Sequence, residues 1–256
     1  MNAAWLVLLA GCGRLGFGET GADGGARGDV GLHDVGADTG TADAVDPCTG
    51  DLLCDGFEGT MLGNGWVMNG AVAIDTTFAH SGASSVHMHL AALAAGDTMA
   101  ARIMHPTILQ TPGPLWIRAW IRLGGLPVGG NHLELECMEQ SGSPSFGDCV
   151  FMYATQTALY SQFAGMSMET TAPPVDTWFC AVWSVVRSPT AGAMHLSSDA
   201  FPDDDLPGVA TTNAAKPVDV LAVGASYSGT NTPDPAPPTD VWFDDIAIRT
   251  SPLACP

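Results

Sequence analysis

Positive charge is what this sequence has least of. Among 256 residues, Lys and Arg together number 8 against 27 Asp and Glu, a formal net charge of −19, and Lys216 is the only lysine. Nucleic acids and anionic bilayers are bound through clustered Lys and Arg, so both are excluded as charge-driven partners. Long apolar runs are missing too: none reaches the ~18–20 residues that a bilayer-spanning helix needs. Uninterrupted helix-forming stretches are scarce, because 31 Gly and 18 Pro are spread along the chain and both residues break helices. There is no G-x-S-x-G elbow and no C-x-x-C pair, and Gly124-Gly125 and Gly129-Gly130 open no helix. A serine-hydrolase elbow, a zinc finger and a phosphate loop therefore lack their sequence signals. What remains is enough length for one large β domain.

The first apolar run, AAWLVLLAG over residues 3–11, is too short to span a bilayer and fits a signal-peptide hydrophobic region. With Leu9-Ala10-Gly11-Cys12 it resembles the lipobox of bacterial lipoproteins, although no Lys or Arg precedes it. The resemblance implies a signal segment over 1–12, a lipid on Cys12, and a chain anchored in the outer membrane or on the cell surface. Residues 13–47 are mostly Gly, Ala, Asp and Thr; seven acids against two arginines give them a charge of −5. Such a segment buries too little apolar surface to offset chain entropy, so it reads as a disordered, extended tether. The folded domain is expected over 48–256.

Beyond Cys12 six cysteines remain: Cys48, Cys54, Cys137, Cys149, Cys180 and Cys255. An even number in an exported chain reads as three disulfides, and six cysteines allow fifteen connectivities. The pairing expected is Cys48–Cys54 at the domain entrance, Cys137–Cys149 across a hairpin-like excursion, and Cys180–Cys255 pinning the C-terminus to an inner strand.

The hydrophobic period over 48–256 is two. In SVHMHL, Val86, Met88 and Leu90 oppose Ser85, His87 and His89. In LWIRAWIRL, the apolar Leu115, Ile117, Ala119, Ile121 and Leu123 oppose Trp116, Arg118, Trp120 and Arg122. His132, Glu134 and Glu136 oppose Leu133, Leu135 and Cys137. Further strands are expected near 150–154, 159–163, 178–186, 193–197, 218–225 and 241–249, with turn-rich pieces at 124–130, 141–147, 200–208 and 228–238. The best helical candidate is the short stretch 91–95. Many short strands with Gly/Pro punctuation predict an all-β, two-sheet antiparallel jelly-roll sandwich with a monomeric head.

Three spaced motifs, Phe57-Glu58-Gly59, then His80-Ser-Gly-Ala-Ser-Ser-Val86, then Val241-Trp-Phe-Asp-Asp-Ile246, resemble concanavalin A-like and carbohydrate-binding-module jelly rolls. The resemblance implies that first and last strands lie side by side. It also implies a structural Ca²⁺ held by Glu58 with Asp244 and Asp245, helped by carbonyls near Ser81 and Gly82. Six to eight oxygens suit calcium; in a regular strand, however, Asp244 and Asp245 point to opposite faces unless a bulge intervenes.

Three further constellations carry chemistry. Glu134-Leu-Glu136-Cys-Met-Glu139 resembles the E-h-D-x-x-E strand of family-16 glycoside hydrolases, with Glu136 in place of the middle Asp. The resemblance implies a nucleophile at Glu134 and an acid/base at Glu139, brought onto one face with Glu136 by a bulge at Cys137-Met138. Trp116 and Trp120 with Arg118 and Arg122 form a row on which sugar rings could stack. His87 and His89 share a strand face and lack a placed third metal ligand. The reading is an exported, lipid-anchored jelly-roll protein that binds polysaccharide or glycan without turning it over. The alternatives are a family-16-like hydrolase or polysaccharide lyase using Glu134 and Glu139, and a structural surface module without ligand. Fold by itself separates none of them.

Overall fold

The computed structural model describes residues 50–140, 143–212, 218–227 and 233–256, all within the unit Val45–Pro256. The 1–12 segment, Cys12, the 13–47 tether and Cys48 lie outside the described residues.

Two antiparallel sheets form. One runs β13 (Asp204–Val209), β12 (Gly192–Ser198), β11 (Trp178–Val186), β6 (Leu115–Leu123), β15 (Thr239–Arg249), β4 (Ser85–Leu90), β3 (Ala71–Asp75), with β1 (Leu53–Asp55) also on β15. The other runs β10 (Gly165–Met166), β9 (Thr157–Ser161), β8 (Ser143–Tyr153), β7 (His132–Gln140), β14 (Val220–Tyr227), β5 (Met99–His105), β2 (Val67–Asn69). We call them the first and second sheet. Together they make the all-β, two-layer jelly-roll sandwich that the period-two patterning predicts. No helix among the described residues is long and apolar enough to cross a membrane.

Burial follows the alternation. Along β6 the aliphatic residues are buried and Trp116, Arg118, Trp120 and Arg122 half-buried, so the former face the second sheet and the latter form the outward face. Phe179 and Trp183 of β11, Met88 of β4, Phe243 of β15 and Tyr227 of β14 are fully buried between the layers. Each such apolar side chain contributes about 1.5–3 kcal/mol relative to exposure.

The first and last strands pair, Leu53 opposite Ile248. The long β15 is shared along one edge: Thr239–Phe243 pair with β4, and Ile246–Ile248 pair with β1. Between these two stretches the ladder with β6 shifts register at Asp244–Ala247. This bulge positions the turn described below.

The structure corrects several expectations. The stretch 91–95 is not helical; Leu93 bridges to Ala236 in both directions. The piece 200–208 contains β13, where Asp205 bonds His195 and the buried Asp204 accepts from the Ser167 hydroxyl. β8 begins at Ser143, inside the expected turn 141–147. Cys137–Cys149 and Cys180–Cys255 are disulfides as expected, and Cys54 is disulfide-bonded.

Candidate functional site

The turn beside the β15 bulge gathers the three carboxylates of the first constellation. Asp245 adopts a left-handed backbone, φ 47°, which a short polar side chain tolerates. The bulge turns Asp244 and Asp245 toward the same segment, which a regular strand forbids. Asp244 Oδ2 accepts the backbone N–H groups of His80 (2.8 Å) and Ser81 (3.2 Å). Asp245 accepts the Ser81 hydroxyl at 2.7 Å and faces His80 Nδ1 at 2.7 Å. Glu58 takes the Ala83 N–H on both oxygens, at 3.1 and 2.9 Å. Gly82 makes that approach possible: it has φ +61°, and a Cβ there would lie 2.0 Å from Glu58 Oε1. Burial first, and then the neighbouring charge of Asp245, push the Asp244 carboxyl up to about 6, against the N–H bonds that lower it. All three are hard oxygen donors, the chemistry calcium takes. As they stand they bracket the turn, Asp244 and Glu58 on its backbone N–H groups and Asp245 on the Ser81 hydroxyl and the His80 ring. Among the described residues no three His, Cys, Asp or Glu side chains surround a common point as metal ligands do.

The carboxylate row of β7 divides between faces. Glu134 stands opposite Phe151 and Glu136 opposite Val150, because the register slips between them, at Leu135. Val150 and Val223, the two neighbours of Glu136, belong to the inter-sheet core, whereas Phe151 packs with Cys137 and Cys149 on the other side. Glu136 therefore points into the sandwich, and Glu134 and Glu139 point outward. This corrects the expectation of three carboxylates on one face: the bulge falls before Glu136, not at Cys137-Met138. With the Cys137–Cys149 bridge between them, Glu134 and Glu139 sit about 13 Å apart along the strand, unlike the ~5–5.5 Å of a retaining pair.

Each outward carboxylate has a partner. Ser226 Oγ donates to Glu134 Oε2 at 2.6 Å. Arg102 Nη1 donates to Glu139 in an ion pair whose side chains are 4% and 2% exposed. Beside them His132 stacks on Phe151, centroids 4.0 Å apart, with Tyr153 at 4.8 Å. Burial pushes the His132 imidazole down to about 4, so it is neutral at pH 7. Inside the sandwich, Glu136 has no hydrogen-bond partner among the described residues, and the polar group nearest Asp148 is the Ser161 hydroxyl. Burial pushes them up to about 8 and about 7, the latter relieved slightly by the nearby Ser161 hydroxyl.

The outward face of the first sheet carries the Trp/Arg row, but not as one open platform. Across from Arg118 lie Val182 and Ala247, both buried on this same face. Cys180, cross-strand from Trp120, holds the C-terminal Cys255 there. The Trp120–Arg122 end is the richer half. Trp120 stacks on His80, centroids 3.6 Å apart. Trp178 lies across from Arg122 and meets His80 edge-on at 6.0 Å. The Arg122 guanidinium sits 4.2 Å above Phe78 and 5.7 Å from Trp242, and bonds Asp176 at 2.9 Å. Trp242 donates to Asp75 at 2.7 Å and stacks on His87 at 4.7 Å.

Sequence reasoning found β6 and the carboxylates. It noted Arg102 as scarce positive charge, a cation in the run MAARIMH, without giving it Glu139 as partner; His80, Trp178 and Trp242 stood in its motifs without a place at the aromatic patch, and it missed Asp240 and Ser226, which reach their partners through strand pairing.

No protein-family model matches the chain, and no curated protein matches it significantly. Solved structures do match in fold. "Cellulose induced protein, Cip1" superposes with a TM-score of 0.56 at 18% identity, over 80% of this chain and 100% of that one. An endo-β-1,4-glucuronan lyase from the fungus Trichoderma reesei gives 0.58 at 15% identity, over 78% and 96%. The binding domain of botulinum neurotoxin serotype C1 gives 0.50 at 8% identity, over 74% and 44%. At these identities the likeness is one of fold alone, the two-sheet jelly-roll sandwich.

Proposed function

We propose that this is an exported, lipid-anchored protein whose jelly-roll domain binds polysaccharide or glycan without turning it over. What carries the reading is the partly exposed patch on the first sheet: Trp120, Arg122 and Trp178 with His80 and Phe78, over the buried Trp242. Flat indole faces match the apolar faces of pyranose rings, and guanidinium donates to hydroxyls and carboxylates. Trp116 and Arg118 extend the same face on the far side of the C-terminal crossing. The fold it shares with a glucuronan lyase agrees with a glycan partner. Two disulfides among the described residues are the chemistry of an oxidising compartment. Anchoring through Cys12 follows from the lipobox resemblance; labelled fatty acid should enter the full chain and be lost in Cys12→Ala.

The test is a glycan array on the full chain, followed by isothermal titration of each hit. Trp120→Ala and Arg122→Ala are expected to weaken binding at least about tenfold, since a stacked ring contributes on the order of 1–3 kcal/mol. Binding unchanged in both variants removes this patch from the proposal.

A second reading rests on one observation. On the second sheet a neutral imidazole, His132, lies beside Tyr153 with Glu134 and Arg102–Glu139 on the same face. Groups of this kind perform proton abstraction and leaving-group protonation. Loss of polymer viscosity with new reducing ends, abolished in Glu134→Gln, would replace the binding reading by a hydrolase or lyase.

Ca²⁺ at Glu58, Asp244 and Asp245 belongs to the same proposal. Two adjacent carboxylates, one of them pushed toward neutrality, favour a divalent cation between them. Saturating Ca²⁺ is expected to raise Tm and EDTA to reverse it, with the response lost in Asp244→Asn. A Tm indifferent to both removes calcium.

A further inference from the structure

The chain ends on the outward face of the first sheet. β15 stops at Arg249, which pairs with Trp116 of β6. Residues 250–256 follow without regular structure, and Cys255 is bonded to Cys180 of β11, which pairs with Trp120. β6 lies between β15 and β11, so the segment passes over it. From the level of Trp116 on β15 to the level of Trp120 on β11 is about 16 Å, two strand spacings across and four residues along. The six residues 250–255, fully extended, span at most ~20 Å. The path is therefore nearly straight, and its middle lies over Arg118. Burial agrees with that path. Val182 and Ala247, the cross-strand neighbours of Arg118, are 1% and 0% exposed although they face outward. Arg118 Nε is sealed from solvent and has no hydrogen-bond partner among the described residues. Trp116 and Trp120, on either side, stay half-buried.

Among the described residues no hydrogen bond ties 250–256 to the rest of the domain. Beyond the packing of the half-buried Leu253, the Cys180–Cys255 bridge is the tie that remains. Its two residues are unequally placed: Cys180 is fully buried and Cys255 partly exposed. We propose that residues 250–256 are a strap dividing the Trp/Arg row of β6, and that reduction of Cys180–Cys255 by a dithiol lifts it and joins Trp116 and Arg118 to the Trp120–Arg122 patch as one binding row. This regulation rests on the glycan reading above; the strap itself does not. In the reduction a thiolate of the dithiol attacks the accessible Cys255 sulfur, the S–S bond breaks, and Cys180 leaves as a thiolate that takes up a proton. The second thiol of the reductant then displaces Cys255 from the mixed disulfide, giving two protein thiols and one oxidised dithiol. In an oxidising compartment the bridge stays closed and the strap down. Once lifted, the row runs from Trp116 to Arg122, about 20 Å along one strand, and favours long glycans over short ones.

The test opens the strap of the full chain in two ways. Cys255→Ser removes the bridge. Insertion of Gly-Ser-Gly-Ser after Thr250 keeps the bridge but slackens the strap. Circular dichroism checks the fold of each, and the insertion carries the test if Cys255→Ser unfolds. Hydroxyl-radical footprinting reads the cover without any ligand: labelling of Trp116 and Val182 is expected to rise severalfold in both variants and in the parent treated with dithiothreitol. Under that treatment alkylation should reach Cys255 before Cys137 and Cys149, which are 2% exposed. Long oligosaccharides from the array are expected to bind the open forms at least about tenfold more tightly than the parent, as one further stacked ring gives. Short ones should change little, and Trp116→Ala should remove the gain. Labelling that stays at the parent's level overturns the strap, whether or not a glycan is found. An uncovered Trp116 with unchanged affinity, in a chain that binds through Trp120, overturns the regulation and leaves the glycan reading standing. No binding by any form, open or closed, removes the glycan reading and the regulation with it.

Discussion

Raising the pH from 5 to 8 is expected to destabilise this domain, lowering Tm by ~5 °C or more. Glu136 and Asp148 are the cause. In the unfolded chain they ionise near the ordinary values of 4.5 and 3.8; in the fold, burial pushes them up to about 8 and about 7. Between those limits the native state holds protons that the unfolded state has released. Stability then falls with rising pH, by about 1.4 kcal/mol per unit for each group. The stabilisation is complete below the unfolded values and is gone once pH has passed the folded ones. His132 acts in the opposite sense: pushed down from 6.5 to about 4, it gives stability that is lost as pH falls through that window. It offsets one carboxyl below pH 6.5 and none above it, while Asp244, pushed up to about 6, adds to the loss below that pH. Denaturant midpoints across pH 5–8 at constant ionic strength measure this. In Glu136→Met, which keeps an unbranched side chain of similar length and removes the buried acid, the loss above pH 7 should largely disappear. Stability that is flat or rising from pH 5 to 8 would contradict the interior placement of Glu136.

Arg102→Met is expected to cost about 3–5 kcal/mol, because it leaves the Glu139 carboxylate buried without its counter-ion. Glu139→Met should cost a similar amount by stranding the guanidinium. The double variant should recover most of the loss, since two apolar side chains of matched volume can replace a buried pair. Chemical denaturation of the four proteins forms the cycle, and a coupling energy near zero would mean that the pair is not closed in solution. The cycle also tests the enzyme reading. A Glu139 needed only to neutralise Arg102 is dispensable to any activity that survives in the double variant, whereas an acid/base Glu139 is not.

Period-two alternation is a property of single strands, and the sequence therefore determined strand content, the buried face of β6 and the two-layer class. The F-E and D-D-I motifs led correctly to the pairing of first and last strands, and two disulfides among the described residues follow the expected connectivity. Glu136 shows where this reasoning stops. Strict alternation puts it with Glu134; one extra residue at Leu135 sends it to the core instead, and no composition rule places a bulge. The same device on β15 turns Asp244 and Asp245 to one side. Arg102 meets Glu139, and Asp240 meets His87 and His89, across sequence separations of 37, 153 and 151 residues. The sequence alone determined most of the longer strands and which of their faces are apolar, because those depend on the local repeat. Register, bulges and the partners of each charged side chain were decided only by tertiary structure, because hydrogen bonding between distant strands sets them.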